Sequence, residues 1–455
     1  MLKHNKSQRN CVLIFLVLAS GCSTGPQSNL RQSFVPLNIA APSAEKVTDK
    51  VPTTALPVTQ EIADTDIYAS QILETALNYS DDTSAAKSAI GAEKAAYNEL
   101  KWEGLPTLVP TVNLIESNAS LANATNNLNN REYRLALQQE LFDFGRIAAR
   151  SDQAVSRINA AQLEYWQEQN QVGHDSLEQF IQIAQNKKLY QISDSYVGKY
   201  QLLKNKLQSR LRAGVSDRSQ LALIDIEIQQ LEIQRENDSR AIIASESILE
   251  SLTGMDIDPN DIPTNLLGKN IPTPVNDVTA TPTFLLARQD VRFAKAEGKE
   301  TKSSLLPRLV AEAYAEQVDG IRSEGVSLRL NSTSFAGFGF RSRLKTANSR
   351  IRTAQLGMDR VKLELDREFQ RLNLEYQRLL VTRASLQRQK DTALIGVGLF
   401  IEQYESGVKP ILDAIRVYEN ALNAERQLTQ TQAAIQLNRI ELANLMGTIA
   451  PYSGE

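Results

Sequence analysis

The chain has few of the residues that build metal clusters, disulfides or membrane helices. Two of its 455 residues are cysteine and two are histidine. Cys11 and Cys22 both fall near the N-terminus, so the body of the chain has neither a disulfide framework nor a Cys/His set of the zinc kind. His174, beside Gly173 in a stretch rich in Gln and Glu, reads as a solvated or interhelical residue, and no Ser/His/Asp set assembles around it. The carboxylates stand at helix-surface spacing among cations, as in Glu364, Asp366, Arg367, Glu368 and Arg371. That pattern marks a solvated charged face rather than paired catalytic acids, so the expectation is no enzyme, no cofactor and no metal. A net charge of −3, with no basic run interleaved with aromatics, offers nothing to nucleic acid. Past the N-terminal segment no stretch reaches the ~18 apolar residues of a transmembrane helix. A membrane crossing would therefore need strands.

Proline is missing where it would matter most. None of the fifteen prolines lies between Thr111 and Asp258. Because proline inside a helix costs about 3 kcal/mol, such tracts rich in Leu, Gln, Glu, Arg and Ala permit very long helices.

What is present begins with Lys3, Lys6 and Arg9, the apolar run Cys11 to Leu18, and small residues, a bacterial secretory signal over 1–21. Its end, Leu18-Ala19-Ser20-Gly21-Cys22, resembles a lipoprotein signal-peptidase site, with Ala19 where Leu is usual. The resemblance implies lipid on Cys22; the alternative is an ordinary cysteine beside a conventional cleavage site. Ser23, in place of Asp, resembles lipoproteins sorted to the outer membrane. Residues 22–62, rich in Pro, Ser, Thr and Ala, read as an extended tether.

The remainder is duplicated. Gly214-Val215 is followed by a helical stretch to Gly254 and Gly407-Val408 by another to Gly447; 254 − 214 and 447 − 407 both give 40, and the two copies are offset by 193. The repeats are placed at 63–254 and 283–447, joined by a proline-rich linker at 255–282 and followed by a tail at 448–455. The first opens with a helical pattern from about Asp66 to Trp102, and each contains period-two alternation. In the first repeat this runs from Thr111 to Leu114 and, after an Asn-rich turn around Asn126 to Asn130, from Tyr133 to Gln138. In the second it covers Leu309 to Glu316 and Val326 to Asn331, with a turn near Asp319-Gly320. Each hairpin runs into an aromatic and glycine cluster, Leu141 to Arg146 and Phe335 to Arg341, and then into a long helix, Arg146 to Arg212 or Ser342 to Tyr404. At 1.5 Å per residue these span on the order of 100 Å. Leu372, Tyr376, Leu379 and Leu386 have the steps of a coiled-coil seam, as do Ile224, Ile228 and Leu231, and Ile415, Tyr418 and Leu422.

The fold class is thus mostly α with a β-barrel portion, four strands and very long coiled-coil helices per chain. Four strands cannot close a barrel, so the edges call for other copies of the chain in a cyclic homo-oligomer; strand arithmetic alone permits two or three. The duplication, the entry Leu141-Phe142-Asp143-Phe144-Gly145-Arg146, and the turns Arg212-Ala213-Gly214-Val215 and Glu405-Ser406-Gly407-Val408, each closed by Thr253-Gly254 or Met446-Gly447, resemble the TolC-like outer-membrane efflux protein family. That resemblance implies a homotrimer: a twelve-stranded barrel in outer-membrane lipid and a periplasmic α-helical tunnel. It also implies a periplasmic adaptor protein and an inner-membrane transporter, proton-driven or ABC, as partners. The turns at Arg212, Gly214, Val215, Gly407, Val408 and Lys409 would then meet the adaptor. Asp413 matches one of two aspartates lining the closed inner end in some members, and Pro410 stands where the other would be. Asp413 also fits a helix N-terminal residue complementing the macrodipole. Export of small toxic molecules and type I secretion of polypeptides both remain open, as does a non-channel periplasmic coiled-coil lipoprotein scaffold.

Overall fold

The computed structural model describes residues 67–121, 124–214, 216–264, 277–318, 320–331, 339–450 and 452. The signal at 1–21, Cys22, the tether at 22–62, Val215 and Phe335 to Phe338 lie outside the described residues. All described residues belong to one compact unit, residues 49–455.

The first helical pattern is two helices, α1 (Ile67–Tyr79) and α2 (Asp81–Glu103), rather than one. Ser80 breaks it: the residue is extended, and its Oγ accepts from the Thr83 amide at 3.3 Å. A Ser-Asp-Asp run competes with helix continuation and favours a fresh start, here with Asp81 and Asp82 in the new first turn. Strands β1 (Thr107–Leu121) and β2 (Ala124–Phe142) follow. The expected turn at Asn126 to Asn130 is part of β2, where Asn126 pairs with Ala119 and Asn130 with Ile115; the hairpin's last described pair is Leu121 with Ala124. Asn favours turns through local hydrogen bonds, but a continuous antiparallel ladder gives its backbone better partners.

Then come α3 (Arg146–Arg212), α4 (Arg218–Thr253) and the connection. The connection holds short 3₁₀ turns at Pro259–Asp261 and Val278–Ala280 and is tied down, with Ile257 and Ile262 buried and Lys187 Nζ donating to Ile262 O at 2.8 Å. The second half runs α5 (Pro282–Ser303), β3 (Arg308–Val318), β4 (Ile321–Asn331), α6 (Gly339–Glu405) and α7 (Ile411–Met446). The second hairpin closes at the pair Val318 and Ile321, with Gly320 at φ +85°. The repeat is exact in its helices. Both α3 and α6 have 67 residues, both α4 and α7 have 36, and each pair is offset by 193 (339 − 146, 411 − 218). The elements before the hairpins are offset by 201 instead (282 − 81, 308 − 107), so the second hairpin is shorter by eight residues.

One antiparallel sheet results, in the order β1-β2-β3-β4. The helices beneath repeat that order, α2 packing on α3, α3 on α5 and α5 on α6; farther on, α3 packs between α4 and α7, and α7 against α6. Apolar clusters hold these contacts. Leu73, Phe180, Ile183, Leu249 and Ile440 form one; Tyr200, Leu207, Ile224, Ile411 and Ile415 form another. Leu372 and Leu379 are buried on α6 as a seam requires, while Tyr376 and Leu386 are half-buried. The segment 448–450 packs back on α3, with the amides of Ile449 and Ala450 donating to Asn170 Oδ1 at 2.8 and 3.1 Å.

Candidate functional site

Alternation along each strand gives the sheet two unlike faces. On one, Leu108, Val112 and Leu114 of β1, Tyr133 and Leu135 of β2, and Val326, Leu328 and Leu330 of β4 are all exposed, Val326 by 84%. An apolar sheet face left open to this extent needs lipid or a partner. The other face is polar and self-satisfied. Glu312, 2% exposed, is ion-paired to Arg134 and Arg329 and accepts from Gln138 Nε2 at 3.0 Å. Arg134 also pairs with Glu316 at 3.4 Å and lies over the Tyr314 ring at 4.6 Å. Asn113 donates to Glu132 at 3.1 Å, and Ser323 to Glu316 at 3.0 Å.

The apolar stripe crosses the strands diagonally. Leu108 shares a row with Leu137, Ala313 and Val326; the β1 members continue toward one end of the sheet and the β4 members toward the other. From the middle of the β1 group to the middle of the β4 group the stripe slides about five residues, or ~16 Å at 3.3 Å each, across three strand spacings of ~14 Å. A horizontal apolar belt would then place the strands roughly 50° from its normal, close to the 35–45° of membrane barrels. Among the described residues no helix is long and apolar enough to cross a membrane.

At the far end of the long helices, both reversals use glycine in the left-handed region, Gly214 at φ +78° and Gly407 at +80°. Neither would meet a neighbour closer than 3.4 Å with a Cβ, so backbone strain is what excludes other residues. Asp217 caps α4, its Oδ1 accepting from the Ser219 amide at 3.1 Å, and that bond holds its carboxyl below the usual range. Arg212 ends α3, while Val408 and Lys409 are exposed and Lys409 Nζ stands 5.7 Å from the Phe400 ring. The two turns are joined: Arg210 Nη1 donates to Tyr404 O at 3.0 Å, and Lys206 pairs with Glu405. Asp413 is half-buried in the first turn of α7, behind Pro410 at the N-cap position.

No protein-family model and no curated protein sequence matches the chain. Solved structures do match. The outer-membrane channel CmeC of Campylobacter jejuni aligns with TM-score 0.72 and 14% identity over 95% of this chain and 96% of that one. For the outer-membrane protein VceC of Vibrio cholerae the figures are 0.73, 14%, 87% and 100%. The outer-membrane channel MtrE of Neisseria gonorrhoeae, in its open state, gives 0.71, 15%, 83% and 88%. The chain has the fold of the TolC-like outer-membrane channels.

Within this channel fold several groups stand together that sequence reading left apart. Asp238 on α4, 7% exposed, takes both nitrogens of Arg426 on α7 at 2.8 and 3.0 Å, and Arg426 also reaches Ser193 Oγ on α3 at 2.7 Å. Tyr418 on α7 meets Tyr196 of α3 edge-on and Tyr200 of α3 at a tilt, ring centroids 6.2 and 5.4 Å apart. Burial, seconded by Glu425 for Tyr196 and by Glu227 for Tyr200, pushes both phenols up. A hydrophobic seam with one Asp and one Arg on facing helices would have been the only signal. His174, expected to be solvated or interhelical, has its Nδ1 3.0 Å from Asp175 Oδ1, with Glu178 in reach of both.

Proposed function

We propose that the chain is one third of a passive exit duct across the bacterial outer membrane, the last stage of a tripartite export system for small toxic molecules. The observation that carries this is the sheet. It offers an apolar face to lipid, a hydrogen-bonded polar face to a lumen, and β1 and β4 as edges that pair on one side only among the described residues. Unpaired backbone groups cost several kcal/mol each in hydrocarbon, so those edges need strands from other copies. Three copies make twelve strands, within the range of bacterial barrels. The helix layer, in the same order as the strands, continues that ring as a periplasmic tunnel.

The two repeats, 63–254 and 283–447, act as equivalent staves of this tunnel. Their tips, with Arg212, Gly214, Val215, Gly407, Val408 and Lys409, are where a periplasmic adaptor would grip and align an inner-membrane transporter. Three copies of Asp413 at the inner end would favour cations over anions, by the logic of charged pore rings. Lipid on Cys22 anchors the duct and supports small molecules as cargo, since acylation resembles the drug-efflux branch. The chain performs no chemistry of its own.

Single-channel recording in planar bilayers tests this reading. The purified protein is expected to conduct with a cation preference that weakens in Asp413→Asn. Failure to conduct refutes the duct, and an unchanged preference in the variant refutes the gate.

A further inference from the structure

The duplication supplies an internal control for every residue of the long helices, and it isolates one cluster. On α6, carboxylates are neutralised by arginines one turn away: Arg371 pairs with Glu368 at 2.6 Å, and also with Glu441 of α7 at 3.0 Å, and Arg378 Nε donates to Glu375 at 2.8 Å. Subtracting 193 moves this ladder onto α3. Glu368 becomes Asp175 and Glu375 becomes Gln182, but Arg367, Arg371 and Arg378 become His174, Glu178 and Gln185. The face still carries two carboxylates, Asp175 and the added Glu178, but has none of the three guanidinium groups. From 158 to 186 the first repeat has no Lys or Arg at all, only Glu164, Glu168, Asp175 and Glu178 as charged residues. No Lys or Arg pairs with Asp175 or Glu178 among the described residues; their neighbours are amides, Gln171 donating to Asp175 Oδ1 at 2.8 Å and Gln182 to Glu178 Oε1 at 2.9 Å.

We propose that His174, Asp175 and Glu178 form a site for a divalent transition-metal ion of the zinc class, one per chain, which takes over the neutralising role that arginine plays in the second repeat. His174 Nδ1 and Asp175 Oδ1 are 3.0 Å apart, and one ligand atom from each of the three residues falls within 4.8 Å of the others. Tetrahedral ligation at about 2.1 Å needs ligand atoms ~3.4 Å apart, within reach of a small side-chain rotation. His and Glu at i and i+4 share one helix face, so the backbone already holds two ligands on the same side. The imidazole among two carboxylates selects a borderline ion over Mg²⁺ or Ca²⁺, which prefer oxygen alone. Gln171 and Gln182 orient the carboxylates, the outer-sphere support that ligating groups need. All three ligands are half-exposed, leaving room for water to complete the coordination.

Calorimetric titration of ZnCl₂ into the detergent-solubilised full chain, without a polyhistidine tag, tests the site. One equivalent per chain is expected, undiminished by excess Mg²⁺, with affinity at least tenfold weaker in His174→Ala and in Glu178→Gln. His174→Arg, which installs the residue of the second repeat, is expected to abolish binding while keeping the circular dichroism of the wild type. In the unaltered protein, Zn²⁺ is expected to protect His174 from diethylpyrocarbonate, read by peptide mass spectrometry; this arm needs no variant to fold. Absence of saturable binding, equal affinity in all variants (an adventitious ion only), or unprotected His174 overturns the proposal.

Discussion

Replacing Asp238 by Asn is expected to loosen the junction between the two helical hairpins. Both oxygens of this buried carboxylate on α4 accept from the Arg426 guanidinium on α7, at 2.8 and 3.0 Å. Without the charge, Arg426 keeps only neutral acceptors, Ser193 Oγ at 2.7 Å and Leu189 O at 3.3 Å. Breaking one side of a fully buried pair costs about 3–5 kcal/mol; since the Arg426 side chain retains 16% of its surface, the low end, ~3 kcal/mol, applies. For 455 residues, an unfolding entropy of roughly 2.1 cal/mol/K per residue is about 1 kcal/mol/K, which converts that loss to a Tm lower by ~3 °C. Asp238→Leu with Arg426→Met removes both charges and is expected to recover most of it, because an apolar pair of similar volume carries no desolvation penalty. Thermal melts in detergent, followed at 222 nm, make the comparison. A single variant melting within about 0.5 °C of wild type, or a double variant no better than the single, refutes the reasoning.

Three further outcomes follow from other parts of the molecule. Burial, and next the neighbouring Glu419, hold the Glu227 carboxyl above its ordinary range. The stability this group contributes is complete below the ordinary carboxylate pKa and is lost as pH rises through the raised value; Glu227→Gln should therefore raise Tm at neutral pH and leave it unchanged near pH 4. The adjacent strand residues Ser327 and Leu328 face opposite ways: if the proposed duct turns its apolar stripe to lipid, Leu328→Arg in the middle of that stripe should destabilise it by about 2–4 kcal/mol in urea titrations in lipid, and Ser327→Arg far less. Within a chain, Arg150 approaches Glu300 at 4.0 Å, and the repeat offsets carry this pair to Arg343 and Glu99, both exposed on outer helices of the layer. Between neighbouring copies, Arg343→Glu should weaken assembly and Glu99→Arg in the same chain restore it, measured by native electrophoresis.

Much of this arrangement was legible in the residues because it rests on periodicity and on where proline and glycine stand. The 193-residue register placed both long helices, and glycine at 214, 254, 407 and 447 has the positive φ that helix termination demands. Alternation in Val310, Glu312, Tyr314 and Glu316 distinguished the two faces of the sheet. Long-range choices were not legible. Nothing local says that Glu312 on β3 pairs with Arg134, 178 residues earlier, or that Asp238 finds Arg426. The Asn run in β2 was misread because turn chemistry is local while strand pairing is set across the ladder, and the break at Ser80 was hidden by apolar spacing that continues on either side of it. The His174 cluster was overlooked because each ligand taken singly resembles a solvated surface residue; the loss of arginine relative to the second repeat was the available signal.

A closed barrel exists only if β1 and β4 find their partners in other copies of the chain. Native mass spectrometry of the protein released intact from detergent measures this directly. The expected result is a complex of three chains that resists dissociation while the sheet is folded. A folded single chain, conducting in bilayers by itself, would contradict the shared barrel.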